Sequence, residues 1–329
     1  MAKKKQLDFD SYKGQFPGIE KIKELSDKHK ALIHASNILK KAEDCINENG
    51  SSNKISKLNL LIPKYLHYVE EQLSIKLESV DYFRDNITGN YPGIVHESIA
   101  KRVTLLNDYY TFFEENKIEG KSGFDSRSKI RSTILEEFMY FLFKDYVDQL
   151  LQDCKVEPGS LQNGSVKAYS NLYFTAPNIK DFVNSPTIEL NTKDQDYAIY
   201  RSVDISIKNA SASARTANIP ILAIENKTFL DKTMLEGAIA TAEKIKMGAP
   251  YAVYVVATET YAVKYEVDPV YSRIDQIFVL RKCKHDKKNR LPKPIDVEVV
   301  TSMFWFIIER LQRPWAEIEK KLSTFGTII

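Results

Sequence analysis

The residues best placed to do chemistry are Glu225 and Lys227, in the run Ala223-Ile224-Glu225-Asn226-Lys227 that closes an apolar stretch from Ile219 to Asn226. Alternate residues of a strand share a face. A carboxylate and an ammonium would therefore project together from the end of a buried strand, where unpaired charge is costly and partners are needed. The tripeptide by itself carries little. The same Glu-Asn-Lys recurs at Glu115 to Lys117, and Glu119 and Lys121 repeat the spacing in a polar stretch that reads as solvated helix. A solvated ion pair at a strand end is the plain alternative for Glu225 and Lys227. Their apolar strand, and a second carboxylate within reach, favour a reactive site.

That carboxylate is sought in the preceding extended segment, Tyr197 to Lys208, which alternates and is rich in aromatic and β-branched residues. With Asn209 to Asn218 as a small, polar loop, a symmetric hairpin places Asp204 almost opposite Glu225. Asp196 is the rival. It has the same parity as Asp204 and precedes the strand, but it needs a longer hairpin connection to reach Glu225. Two carboxylates this close repel unless a cation joins them. Oxygen ligands with few fixed contacts suit Mg²⁺, which keeps several waters and binds substrate phosphate. The lysine suits positioning or deprotonating an attacking water, or stabilising charge on the phosphate.

The elements that must hold these groups follow from pattern. Thr133 to Gln152 is a helix, with Thr133 and Glu136 spaced as a capping box. Strands are predicted over Lys167 to Phe174, Tyr197 to Lys208 and Ile219 to Asn226. A second helix spans Leu230 to Met247, with Thr233 and Glu236 as another capping box. Tyr251 to Thr258 is a near-continuous apolar strand, followed by a short strand at Gln276 to Leu280 and a helix from about Val299 to Leu322. The order helix, three strands, helix, strand predicts an α/β (α+β) fold with a mixed central sheet, hairpins first and one crossover after them. Upstream, Ile22, Leu25 and His29, and then Leu58, Leu61, Tyr65 and Val69, recur at helical spacing. Breaks fall at Asn49 to Asn53 and Asn86 to Pro92. The reading is a helical N-terminal region, residues 1–122, and a domain carrying the site, residues 123–329, divided near Lys121-Ser122-Gly123.

Composition bounds the class. The chain has 329 residues, 43% hydrophobic and 28% charged, with 47 basic against 44 acidic side chains. That is ordinary globular material, and a net charge of +3 neither requires nor excludes a nucleic acid. Three widely spaced cysteines, Cys45, Cys154 and Cys283, argue against a disulfide framework and for a reducing cytoplasm. The start MAKKKQLDFD lacks an apolar signal core, and runs such as Met303 to Ile308 are too short to span a bilayer. No membrane association is expected. No G-x-G-x-x-G, phosphate loop or H-E-x-x-H occurs, and Cys283 and His285 lack a second pair at zinc spacing.

Arg127, Lys129 and Arg131 recur at every second position before the first strong helix and could clamp DNA phosphates, or form a polar loop. Arg281 to Arg290, RKCKHDKKNR, is the densest basic run and reads first as a solvated loop.

Asp204, Glu225 and Lys227, set in this element order, resemble the PD-(D/E)xK nuclease core over Phe124 to Thr258, although Asp204 follows Val203 rather than proline. In that superfamily the preceding helix often adds a glutamate to the metal site, which points to Glu136, nearer the margin of the apolar face, with Glu137 as its rival. The stretches ENKTFLDKTMLEG (Glu225 to Gly237) and TILEEFMYFLFKD (Thr133 to Asp145) are also similar to type II restriction endonucleases that cut short, nearly palindromic sites, some as two different subunits. The resemblance implies Mg²⁺ held by Asp204, Glu225 and Glu136, with Lys227 beside them. It implies hydrolysis of double-stranded DNA at a short sequence to 5′-phosphate and 3′-hydroxyl ends. It also implies a homodimer, or a heterodimer with a related subunit, and a companion DNA methyltransferase. Other nucleases with this core, in repair, recombination or transposition, and a non-catalytic DNA-binding protein are the alternatives.

Overall fold

A computed structural model describes residues 8–47, 52–77, 93–121, 123–206, 215–264, 269–286 and 293–312. Among the described residues, four α-helices come first: α1 Ile19–Lys28, α2 Ile33–Asn47, α3 Ser52–Ser74 and α4 Gly93–Glu115. The remainder runs α5 Ser132–Asp153, β1 Gln162–Thr175, the short α6 Ile179–Asn184, β2 Thr187–Ile205, β3 Arg215–Leu230, α7 Lys232–Gly248, β4 Val253–Tyr261, β5 Gln276–Val279 and α8 Val297–Gln312. The expected element order is therefore present. The breaks expected at Asn49 to Asn53 and Asn86 to Pro92 fall mostly outside the described residues, as does the last part of the final helix.

The sheet has five strands in the order β1-β2-β3-β4-β5. β1, β2 and β3 pair antiparallel, whereas β3, β4 and β5 pair parallel. A parallel neighbour needs a crossover, and α7 supplies it between β3 and β4. Strand alternation divides the sheet between two apolar clusters. Leu222 and Ile224 join the large cluster that contains Phe138, Phe141 and Phe143 of α5 and Phe304 and Ile308 of α8. Ala223 joins a smaller one with Leu235, Ala238, Ala242 and Ile245 of α7. The large cluster also takes in Ile22, Leu61, Tyr65 and Tyr109 of the N-terminal helices, so one continuous core crosses the boundary near Gly123. A Cβ on Gly123 would lie 2.1 Å from the Ile118 carbonyl oxygen, so this turn admits no side chain.

Three local expectations are corrected. Neither capping box forms. Thr133 lies inside α5 and its hydroxyl donates to Lys129 O (3.0 Å), the N-cap position being Arg131 without a side-chain cap. α7 is capped instead by Asp231, whose Oδ1 accepts from Met234 N at 2.8 Å. The β2–β3 register also differs. β2 begins at Thr187, ten residues before Tyr197, and β3 begins at Arg215, so Arg215 to Asn218 are strand and not loop. Asp204 accordingly pairs with Thr216, and Tyr197 pairs with Ile224. The register shifts once, where Ile199 faces Leu222 and Tyr200 faces Pro220, leaving Ile221 as an extra residue. Proline cannot donate to a ladder and is tolerated in a central strand at such a bulge.

Candidate active site

Glu225 and Lys227 are held in β3 by parallel pairing with β4, opposite Val256 and Thr258. Lys227 Nζ donates to Glu225 Oε1 at 2.5 Å and stands 4.0 Å from Asp196 Oδ2. Asp196 comes from β2, one residue beyond the Tyr197–Ile224 pair, and its Oδ2 accepts from the Asn226 amide at 2.8 Å. The three side chains retain 17–29% exposure, so the cluster is half-buried but open to a ligand. By contrast, Asp204 is exposed and accepts from Thr216 Oγ1 at 2.7 Å. Eight residues of extended chain, roughly 26 Å, separate it from Asp196. The aspartate beside Glu225 and Lys227 is thus Asp196, the rival, and an eight-residue slip of β2 against Glu225 is the reason.

The two glutamates of α5 part company. Burial first, then the negative charge of Asp196, pushes the Glu136 carboxyl up to about 7, and Lys129 and Lys227 pull the other way. Glu136 therefore feels the cluster. Glu137 is fully buried on the opposite side, where it joins α5 to the N-terminal helices. Its Oε2 accepts from the His34 and Ala35 amides (2.8 and 3.2 Å) and its Oε1 from the Tyr65 hydroxyl (2.9 Å). These partners exclude Glu137 from the site.

The charge pattern is that of a site short of cations. Burial and the Glu225 charge push Asp196 up to about 6. Burial alone would lower Lys227, but Glu225 and Asp196 outweigh it and the ammonium is stabilised. Among the described residues, no three acidic, histidine or cysteine side chains stand close enough as they are to enclose a metal ion. The donor set nonetheless fits a hard divalent cation. Asp196 and Glu225 offer carboxylate oxygens and Glu136 a third, and a cation would offset the burial and mutual repulsion that raise Asp196 and Glu136.

The basic residues ahead of α5 have separate fates. Arg127 is exposed and pairs with Asp125 (Nε to Oδ1, 3.0 Å). Lys129 is exposed in the left-handed region, φ 60°, near enough to Glu136 and Asp196 to lower both. Arg131 cannot clamp DNA, because it is buried between Glu259 (2.9 Å) and Glu114 (3.1 Å). Arg281 also leaves the basic run for the interior, where it pairs with the same Glu259 oxygen at 2.8 Å. The Tyr110 ring lies 5.2 Å from each guanidinium. Two buried arginines on one glutamate are stabilised by that ring and by Glu114. The sequence signal for this arrangement was hidden, since a basic run reads the same whether its first member turns in or out.

The sequence model of the Bpu10I restriction endonuclease family matches residues 127–293. Comparison with curated proteins gives no match. Among solved structures, a chain of the native BbvCI A2B2 tetramer superposes with a TM-score of 0.61 at 20% identity, over 87% of this chain and 98% of that one.

Proposed function

The chain belongs to the Bpu10I restriction endonuclease family and is a site-specific restriction endonuclease; from that premise we propose that it is a Mg²⁺-dependent type II enzyme whose reactive cluster is Asp196, Glu225 and Lys227, with Glu136 beside them. The observation that carries this reading is the Lys227 ammonium lying against the carboxylates of both Glu225 and Asp196 (2.5 Å and 4.0 Å respectively) at the end of β3. These are the groups of a PD-(D/E)xK site, brought from two strands and one helix.

Asp196, Glu225 and Glu136 would hold the cation. When bound, Mg²⁺ would neutralise charge on the phosphate and lower the pKa of a water. Because its neighbours favour the charged form, Lys227 remains an ammonium at neutral pH. It therefore orients the water and stabilises the charge that grows on the phosphate oxygens, and the deprotonating role open to a neutral amine does not fit it. Lys129 and Arg127, both exposed, are suited to contact the DNA backbone and set its register. Hydrolysis would leave 5′-phosphate and 3′-hydroxyl ends.

No helix among the described residues is long and apolar enough to cross a membrane. The proposal includes a cytoplasmic enzyme, a companion DNA methyltransferase, and a second site-bearing chain. One cluster of this kind can serve one phosphodiester, while a double-strand break needs two. The A2B2 assembly of the BbvCI structure favours a related, non-identical partner. The helical residues 1–122 would contribute DNA recognition or subunit contacts, and residues 123–329 the chemistry. The test is digestion of a sequenced plasmid with the chain alone and with its partner, followed by mapping of the ends. Discrete fragments with Mg²⁺ or Mn²⁺, none with EDTA, and Ca²⁺ supporting binding without efficient cutting are the expected results. Robust cutting in EDTA would refute the metal requirement.

A further inference from the structure

Tyr254 stands in β4 opposite Ala223 of β3. Ala223 and Glu225 share a face, so Tyr254 is placed on the side of the sheet that carries the reactive carboxylates. Its ring is fully buried in the cluster formed with α7. Its hydroxyl is buried too and makes no hydrogen bond of normal geometry. The polar groups that interact with it are Glu225, Asp196 and Thr241 of α7. A phenol keeps its proton at neutral pH, so the oxygen is available as a donor. Thr241 already gives its own proton to Gly237 O at 2.9 Å.

A buried hydroxyl without a partner is unfavourable for folding, and phenylalanine would fill the same space without that cost. Nor can Tyr254 drift towards a better position. Its amide donates to Asp275 Oδ2 at 2.7 Å, and the same oxygen accepts from Lys246 of α7 at 2.6 Å. The strand is thus pinned to the helix around a ring whose polar end serves nothing in the fold. On the other side, Lys227 takes only Oε1 of Glu225.

We infer that Tyr254 is a positioning residue for Glu225, its hydroxyl donating, once a divalent cation is bound, to the carboxylate oxygen that Lys227 leaves free and so fixing that carboxylate on the cation. The inference rests on the reading of Asp196, Glu225 and Lys227 as the metal site. Donors behind metal-binding carboxylates set ligand orientation, and their loss typically costs about 10–100-fold in metal affinity or activity.

The test uses the full chain carrying Tyr254→Phe. Free Mn²⁺ is followed by electron paramagnetic resonance during titration, and the thermal midpoint is measured in EDTA. Mn²⁺ affinity should fall by about tenfold or more, the Mg²⁺ needed for half-maximal cleavage should rise in step, and the midpoint should be unchanged or higher. Unchanged Mn²⁺ affinity, or a lowered midpoint, overturns the role of Tyr254. Thr241→Val is the second variant and should bind Mn²⁺ as the wild type does. If it reproduces the loss seen with Tyr254→Phe, the hydroxyl serves Thr241 and the inference fails. A wild-type chain that binds no Mn²⁺ overturns the metal reading itself, which separates that failure from this one.

Discussion

Asp196 and Asn226 are joined by a hydrogen bond from the Asn226 amide to Asp196 Oδ2, 2.8 Å long. The bond ties the β2 carboxylate to the backbone between Glu225 and Lys227, so the aspartate is aimed by the strand that bears its partners. Asp196→Ala should therefore abolish cleavage, by about 10²–10⁴-fold or more. Asp204→Ala should leave measured rates within a few-fold of wild type, since Asp204 is exposed and accepts from Thr216, far along β2 from Glu225. Plasmid cleavage by the two variants decides between them, and the reverse ranking would return Asp204 to the site.

Lys227→Ala removes the ammonium that both carboxylates address. Cleavage should drop by about 10²–10⁴-fold, while sequence-specific binding in Ca²⁺, read by gel shift, stays largely intact. Retention of more than a tenth of the cleavage rate would remove Lys227 from the proposed mechanism.

Arg131 and Arg127 are predicted to separate stability from DNA contact. Breaking a buried ion pair from one side typically costs about 3–5 kcal/mol, and Arg131→Ala should cost towards the lower end of that range, because Glu114 and Glu259 lose this partner while Arg281 still holds Glu259. Arg127→Ala should change stability by less than about 0.5 kcal/mol and instead flatten the salt dependence of DNA binding. Urea melts and binding at two salt concentrations test both, and an Arg131→Ala chain as stable as wild type would contradict the buried network.

The Glu137 and His34 contributions to stability have opposite pH signs. Burial pushes Glu137 up to about 8 from 4.5. The folded state then binds more protons than the unfolded state between those values, and stability falls as pH rises through that window. Burial pushes His34 down to about 3 from 6.5, so its contribution is lost as pH falls below 6.5. Between pH 6.5 and 8 the His34 slope no longer acts and Glu137 lowers stability as pH rises, with Glu136, raised to about 7, adding in the same direction. Glu137→Gln should flatten the thermal midpoint across pH 6.5 to 8 relative to wild type. An equally steep decline in the variant would disprove the assignment.

The two-chain reading predicts that wild-type chains mixed with Lys227→Ala chains, or with a partner so altered, nick one strand of the duplex. Concerted double-strand breaks from a single chain per DNA, judged by sedimentation with the cleaved substrate, would rule it out.

Much of this was legible in advance, and the errors have physical causes. The apolar run before Glu225 and the long α5 pattern identify elements because burial imposes a period. Glu225 and Lys227 emerge as neighbours because strand alternation is local. The identity of the third group is not local. It depends on hairpin register, and alternation is indifferent to a slip by an even number of residues on each side. Pro220 was the available clue, since a proline inside a central strand announces a bulge and so a change of facing. Asp231 likewise outcompetes Thr233 as a cap because it stands immediately before the first turn. Burial of Arg131 and Arg281 required knowing that Glu259 would be buried beside them, which composition does not reveal.

The core shared by Tyr65, Tyr109, Phe138 and Phe141 has a consequence for altering what this enzyme reads. Enzymes whose reader and cutter are joined by a flexible tether can be recombined by exchanging whole halves. Here a chimaera joined near Gly123 would have to match a foreign set of helices to the aromatic face of α5 and supply donors to the Glu137 carboxylate, side chain by side chain. On the proposal that the N-terminal helices take part in DNA recognition, retargeting by wholesale exchange would disrupt this shared core, and point changes on the recognition surface are the route that leaves it intact.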